Sequence, residues 1–211
     1  MALKRGKFCK YDDIKLDNGT VISCLKEGED YKFMGVPQNS KINVNELGSE
    51  LLKTVERRSH IIWSSQLTDI NKCRANNQFV NAAVEYYFWA TKFPINVIKE
   101  MDSIIRQNMN INGCKHTNQL NAINYLPRNK GGRGLKCLED SYKISKIKLT
   151  IKMIEEDDHR LSIVKDFHKF HLDTNSYSII KDSIKYASEL SIDMNIVDGN
   201  LVIKEMQNGE I

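Results

Sequence analysis

The spacing of the apolar residues changes near residue 40, and this change constrains the fold more than any other feature of the sequence. Before it, apolar and polar residues alternate over residues 14–17 and 20–23, on either side of Asn18-Gly19. Alternation with a period of two predicts half-buried strands. Asn-Gly between two such runs predicts a hairpin, because both residues tolerate the positive φ of a type I′ turn. A third strand over residues 31–36 is predicted to pair beside this hairpin and to end at Pro37.

From about Asn43 onward the apolar residues recur every three to four positions, which is typical of amphipathic helices. Asn43 is predicted to cap a first helix, and Thr68 or Asp69 a second. A third follows Pro94 and ends at Asn112-Gly113. The side chains predicted to face inward are, helix by helix, Leu47, Leu51, Leu52, Val55, Ile62 and Trp63; Phe79, Val80, Ala83, Val84 and Tyr87; and Val97, Ile98, Met101, Ile104, Ile105 and Met109. These three helices are predicted to form one bundle.

The second half of the chain is predicted to hold three more helices and a hairpin. Residues 112–134 lack periodicity and are predicted to be a loop. A fourth helix over residues 138–154 carries two apolar stripes, which indicates packing between layers. A fifth, capped by Asp157 or Asp158, and a sixth over residues 177–190 precede a hairpin around Asp198-Gly199. The fifth contains Ile163, Val164, Phe167 and Phe170. The predicted class is therefore α+β, mostly α.

The composition excludes several classes of protein. Hydrophobic residues make up 41% of the chain and charged residues 27%, so an ordinary globular core is predicted rather than disorder. No stretch approaches 18 uninterrupted apolar residues, and no apolar run follows the basic N-terminus. Neither a membrane span nor a secretory signal is predicted, and the protein is expected to be intracellular.

The positive charge is concentrated in one segment. The net charge is +4, yet residues 127–153 alone hold eight bases and two acids. Their first part interleaves bases with glycines directly before a predicted helix, and such a segment offers cations and backbone N–H groups to phosphate oxygens. A solvated loop with ordinary lysines is the alternative. The candidate nucleic-acid-binding residues are Arg128, Lys130, Gly131, Gly132, Arg133 and Lys136.

Other arrangements of reactive residues do not predict an enzyme. The five cysteines are scattered without a Cys-x-x-Cys pair, so free thiols are predicted. Asp12 and Asp13 are adjacent, and adjacent side chains on a strand point to opposite faces, so we assign them no metal. His168 and His171 lack the further ligands that zinc requires. No catalytic residue and no metal site is therefore predicted.

Three sequence blocks together resemble a known family. Residues 3–7 read Leu-Lys-Arg-Gly-Lys, residues 31–36 read Tyr-Lys-Phe-Met-Gly-Val, and residues 125–135 read Tyr-Leu-Pro-Arg-Asn-Lys-Gly-Gly-Arg-Gly-Leu. In this order they resemble the segment after the catalytic part of the palm, the strand that closes the palm, and the block beyond the thumb in non-LTR (LINE-type) retrotransposon reverse transcriptases. Asp102 and Arg106 fit that family's helix before the third block. The likeness covers residues 3–160.

The resemblance implies a C-terminal fragment of an RNA-directed DNA polymerase. Its parts would be the end of a palm sheet (1–40), a thumb-like bundle (41–112), a basic Gly-rich loop (113–136) and a helical connector with a terminal hairpin (137–211). Its partner would be an RNA/DNA or DNA duplex, bound through phosphates. The residues that match the primer-grip strand are Tyr31, Lys32, Phe33, Met34 and Gly35.

The resemblance also implies what is missing. The family's metal-binding aspartates lie upstream of the closing strand, with most of the palm and the fingers, so this chain alone is expected not to polymerise DNA. No cofactor is expected here, and Mg²⁺ only in the complete polymerase. One side of the sheet over residues 14–36 is expected to be uncovered. A non-enzymatic helical protein-interaction module and a non-functional remnant are the alternatives.

Overall fold

The computed structural model describes residues 2–4, 7–9, 13–24, 29–33, 35–38, 43–156, 158–172, 174, 176–197 and 200–205. The fold is α+β and mostly α, as predicted, because long helices dominate and the strands form small antiparallel pairs. The chain divides into two compact units, Met1–Leu47 and Gly48–Ile211, which are described separately.

The described residues of the first unit form three antiparallel strand pairs. They are β1 (Ala2–Lys4) with β2 (Lys7–Cys9), β3 (Ile14–Lys15) with β4 (Val21–Ile22), and β5 (Tyr31–Phe33) with β6 (Val36–Gln38). The predicted three-stranded sheet is wrong, because β5 pairs with β6 rather than with the Asn-Gly hairpin. Gly35 provides the reversal with a φ of +81°. Pro37 lies within β6 opposite Lys32, a position tolerated because a two-stranded pair has open edges where a missing N–H costs little.

The Asn-Gly hairpin has a longer turn than predicted. Ile14 is opposite Ile22, the Leu16 N–H donates to the Thr20 carbonyl (2.9 Å), and the Gly19 N–H donates to the Leu16 carbonyl (2.9 Å). Of the two central residues only Gly19 has a positive φ, +81°. This is the geometry of a three-residue loop with a glycine bulge, not of a type I′ turn. All four residues of β3 and β4 are exposed, with Ile14 and Ile22 at 57% and 49% on one face and Val21 at 49% on the other, so this pair is uncovered on both faces rather than on one.

The helices follow in the predicted order. They are α1 (Val44–Ser64), α2 (Asp69–Ala75), a π-helical turn (Asn76–Asn81), α3 (Ala82–Ala90), α4 (Ile95–Ile111), α5 (Ala122–Tyr125), α6 (Leu138–Glu155), α7 (His159–Phe170) and α8 (Ile179–Glu189). Asn43 caps α1 as predicted, since its Oδ1 accepts from the Glu46 N–H (3.3 Å). Asp158 caps α7, with its Oδ1 accepting from the Arg160 N–H (2.7 Å), while Asp157 lies outside the described residues.

The core of the second unit is built around α6. This helix contacts α3, α4, α7 and α8, so the predicted packing between layers is confirmed. Tyr142 of α6 meets Phe88 of α3 edge to face at 5.1 Å between ring centroids. The side chains at the centre of the bundle are at most 1% exposed: Trp63, Phe88, Ile98, Met101, Ile105, Met109, Leu138 and Tyr142.

Several large apolar side chains of the helices are exposed. Phe79, predicted to face inward, is 60% exposed, because the π-helical turn adds a residue to the helix and shifts the phase of its apolar face. On α7, the exposed residues are Ile163, Val164, Phe167 and Phe170. Their spacing in the sequence does not report whether another element covers them.

The remaining segments agree with the predictions with one addition. The predicted loop over residues 112–134 also contains α5 and a 3₁₀ turn, Arg128–Lys130. The predicted C-terminal hairpin is formed by β7 (Ile192–Val197) and β8 (Asn200–Glu205), and its turn residues lie outside the described part of the chain. Among the described residues, no helix has both the length and the apolar character needed to cross a membrane.

Candidate nucleic-acid interface

The Gly-rich loop is folded tightly onto its own beginning and onto α5. Five consecutive backbone N–H groups donate to carbonyl groups of residues 123–128 at 2.9–3.1 Å. The phosphate cradle of loop N–H groups suggested by the sequence is therefore wrong, because these donors are already used. The donors are Lys130, Gly131, Gly132, Arg133 and Gly134, and their acceptors are the carbonyls of Pro127, Arg128, Pro127, Ile123 and Leu126, respectively.

The two central glycines serve the loop itself. A Cβ placed on Gly132 would lie 2.0 Å from the Leu126 carbonyl oxygen, so no other residue fits here without moving the backbone. Gly131 has a φ of +80°, but a Cβ placed on it would have no neighbouring atom within 4 Å. Gly132 thus permits close approach to the chain's own backbone rather than to a phosphate.

Alanine at these two positions is expected to have different effects. Gly132→Ala is expected to lower the free energy of unfolding by about 2 kcal/mol, because its Cβ collides with backbone. Gly131→Ala is expected to cost about 1 kcal/mol, from the left-handed backbone conformation alone. Urea unfolding followed by circular dichroism measures both values, and equal losses would contradict the described packing of Gly132.

Asparagines of the π-helical turn hold the end of the loop. Asn77 Nδ2 donates to the Gly134 carbonyl and Asn77 Oδ1 accepts from the Lys136 N–H, both at 2.9 Å. Asn81 Nδ2 donates to the Lys136 carbonyl (2.9 Å), and its Oδ1 accepts from Asn76 Nδ2 (3.0 Å). The sequence analysis missed these residues. Their signal was three asparagines, which are poor helix formers, inside a predicted helix.

The N-terminus of α6 is occupied by a carboxylate of the protein. Asp102 on α4 accepts hydrogen bonds from the Leu138 and Glu139 N–H groups, both at 3.1 Å, and from the Cys137 thiol at 3.4 Å. A phosphate at this helix end, as the sequence suggested, would have to displace Asp102. Burial raises the pKa of Asp102, and the two N–H donors and Arg106 oppose that rise.

Groups around Asp102 are held in their protonated forms. Burial, and next the negative charge of Asp102, raise the pKa of Cys137 and that of Tyr125 to about 12 each. Arg106 Nη1 donates to the Tyr125 hydroxyl at 2.6 Å. Asp102 and Arg106, which the resemblance singled out, therefore fix the junction of the loop and α6.

The two arginines of the loop are paired within the protein. Arg128 Nη2 and Arg133 Nη2 each lie 3.6 Å from a carboxylate oxygen of Asp69, the first residue of α2. The Arg133 side chain is only 22% exposed. Burial and Asp69 raise the pKa of the neighbouring Cys73, while Arg128 and Arg133 oppose that rise. Both arginines thus attach the loop to α2.

Two of the eight bases in this segment are buried on α6. Lys143 lies 2.7 Å from Glu139 and 2.9 Å from Glu189. Lys146 donates to the carbonyls of Phe88 (2.5 Å) and Thr91 (2.9 Å), at the end of α3. Burial lowers the pKa of Lys146 to about 8. These side chains do not contribute to the surface, so the positive field is smaller than the count of bases suggested.

Four exposed lysines remain, and one of them, Lys152, lies 3.6 Å from Glu156. Within the described part of the chain, no ion pair involves Lys130, Lys136 or Lys148. Lys136 and Lys148 line one cleft of about 580 Å³ between the loop and α6. The cleft is also lined by two acidic residues, and its other lining residues are Glu85, Tyr125, Pro127, Gly134, Leu135, Cys137, Asp140, Ser141, Ile144 and Ser145. Such a cleft combines cations, carboxylates and apolar side chains.

The primer-grip-like residues belong to the first unit. Tyr31 and Lys32 are exposed on β5, and Gly35 follows in the reversal to β6. Met34 and the side chain of Phe33 lie outside the described residues. In the part of the chain that is described, no three His, Cys, Asp or Glu side chains come together as metal ligands.

Comparison of the whole chain with protein-family models, curated proteins and solved structures finds no match.

Proposed function

We propose that this chain binds nucleic-acid duplexes through phosphate contacts, as the palm-end, thumb and connector portion of a LINE-type reverse transcriptase. The observation that supports it best is the pair of exposed lysines, Lys136 and Lys148, at one cleft beside a loop that is fixed by the protein's own hydrogen bonds. Because these hydrogen bonds already order the loop in the folded protein, binding costs little further conformational entropy of the loop backbone. Lys130 adds a third exposed cation on the same loop.

The contacts are proposed to be independent of base sequence. Lysine is a point charge that binds phosphate without reading base edges, and phosphate contacts position a protein on a duplex rather than specify a sequence. Arg128 and Arg133, the sequence candidates for this role, are assigned instead to the attachment of the loop to Asp69. Lys136 is retained from the candidates, and Lys148 is added.

A double variant tests this assignment. Lys136→Ala/Lys148→Ala is expected to weaken binding to a 12-base-pair RNA/DNA hybrid by about tenfold at 50 mM salt, because two phosphate contacts are lost. Fluorescence anisotropy with a labelled hybrid measures the affinity. The matched control is Lys165→Ala/Lys185→Ala, which removes the same charge from α7 and α8 and is expected to change the affinity less than twofold.

Two results would contradict the proposal. Equal weakening by the two double variants would mean that net charge alone acts, without a defined surface. No binding of the wild-type protein at low salt would favour the non-enzymatic helical interaction module or the non-functional remnant. Variants of Arg128 and Arg133 are unsuitable for this test, because loss of their ion pairs with Asp69 would also disturb the loop.

A further inference from the structure

A second apolar groove lies between α1 and the π-helical turn. It has a volume of about 430 Å³ and is lined by Arg58, Ile61, Ile62 and Phe79. Ile61 and Phe79 are 62% and 60% exposed. Arg58 Nη1 donates to the Phe79 carbonyl at 2.7 Å, which holds the guanidinium group next to that residue. The groove thus combines an aromatic ring, a planar cation and an aliphatic wall.

The π-helical turn both clamps the Gly-rich loop and exposes Phe79. The turn directs Asn76 and Asn81 into the protein, where they are fully buried, and leaves Phe79 outside. An exposed phenylalanine gains none of the stabilisation of burial, and exposed apolar patches often mark binding sites. Tyr86 and Trp89, on α3, are also exposed, by 49% and 45%.

Two arginines of α1 lie at or next to the groove. The whole of α1 carries three bases, Lys53, Arg57 and Arg58, and three acids, Glu46, Glu50 and Glu56, and the two arginines are its charged residues nearest in sequence to Ile61 and Ile62. Lys53 and Arg57 are exposed and share a helical face with Ile61, because residues four apart are neighbours on a helix. An aromatic ring and a guanidinium plane with a second arginine nearby are the combination that single-stranded nucleic acid requires, since unpaired bases stack on such planes and phosphates bind the cations.

We infer that this groove binds an unpaired nucleic-acid strand, with a base stacked on Phe79 and Arg58 and the adjoining phosphates at Arg57 and Lys53. A duplex does not fit this role, because its bases are stacked inside and present no free faces. The groove is distinct from the cleft of Lys136 and Lys148, and its assignment does not depend on duplex binding there.

The test measures binding of a labelled 12-nucleotide oligo(U) by fluorescence anisotropy. Phe79→Ala is expected to weaken it at least fivefold, since stacking on an aromatic ring contributes substantially per base. Arg58→Lys keeps the charge but loses the planar group, and is expected to weaken binding severalfold. The matched control is Phe170→Ala, which removes another exposed phenylalanine, 73% exposed on α7, and is expected to leave the affinity unchanged.

The same variants separate this inference from the proposed function. Phe79→Ala is expected to leave affinity for the blunt RNA/DNA hybrid within twofold of wild type, and Lys136→Ala/Lys148→Ala is expected to leave that for oligo(U) within twofold. Absence of oligo(U) binding, or equal affinities of Phe79→Ala and Phe170→Ala, would overturn the inference. So would sedimentation velocity showing a wild-type dimer that Phe79→Ala dissociates, because the groove would then be a contact between two copies of the chain.

Discussion

Replacing Asp102 with alanine is expected to lower the free energy of unfolding by about 3 to 4 kcal/mol. The Asp102 carboxylate accepts the N–H groups of Leu138 and Glu139 at the start of the central helix α6. The Asp102 side chain is buried, and Leu138 is fully buried, so the freed donors would have little access to water. An unsatisfied buried donor costs about 1 to 3 kcal/mol, and two are created at once.

The control for this prediction is Asp140→Ala. Asp140 is also in the first turn of α6, but its side chain is exposed. Its loss is expected to cost no more than about 0.5 kcal/mol, through the helix dipole. Asp102→Asn keeps one acceptor oxygen, so its loss of unfolding free energy is expected to lie between those of the two alanine variants. Urea unfolding gives all three values, and a similar loss for Asp102→Ala and Asp140→Ala would show that Asp102 does not cap α6.

Replacing Lys146 with methionine is expected to change how stability depends on pH. Burial lowers the pKa of Lys146 from 10.5 to about 8 in the folded protein. Between pH 8 and 10.5 the unfolded chain therefore holds a proton that the folded chain has lost, and the contribution of Lys146 to stability rises with pH. The shift corresponds to a rise of up to about 3 kcal/mol across that window.

The measured quantity is the difference in unfolding free energy between wild type and Lys146→Met, at pH 7.5 and at pH 10.5. This difference is expected to grow in favour of the wild type by about 3 kcal/mol, and the comparison removes the contributions of all other titrating groups. If the difference in unfolding free energy between wild type and Lys146→Met did not change with pH, this would contradict a burial of Lys146 that lowers its pKa.

The helices were predictable because their signals are local. Asn43 is followed at N3 by Glu46; the Asn43 Oδ1 accepts from the Glu46 N–H, and the Asn43 Nδ2 donates to the Glu46 carboxylate. The two apolar stripes of α6 predicted packing on two sides of the helix, and α6 contacts α3, α4, α7 and α8. Phe79 was predicted wrongly to face inward because the prediction assumed an unbroken 3.6-residue helical period. The π-helical turn that breaks this period was not predictable locally, because the buried asparagines that accompany it bond to groups far away in sequence.

The hairpins have features that local sequence signals do not predict. Asn18-Gly19 predicted a reversal correctly, but the register depends on whether one or both residues adopt a positive φ. In the structure only Gly19 does, so the pairing differs by one residue from that of a type I′ turn. Strand neighbours were less predictable still, because the pairing of β5 with β6 depends on Gly35 and not on the pattern of either strand.

The candidate site was predictable in place but not in detail. The basic segment does lie on the surface, with Lys130 and Lys136 exposed. What several of the bases do depends on partners 30 to 60 residues away, such as Asp69 for Arg128 or the Phe88 carbonyl for Lys146. A count of charges along the sequence contains no information on these pairs, and it therefore overstated the cations available to a ligand.

The most direct test of phosphate binding is the salt dependence of wild-type affinity for a short RNA/DNA hybrid. Three exposed lysines that contact phosphates predict a linear fall of log K with log salt concentration, with a slope of about −2 to −3, because each contact releases close to one counterion. Polymerisation is not required for this result. Absence of binding at low salt, or an affinity that does not change with salt, would contradict the proposed interface.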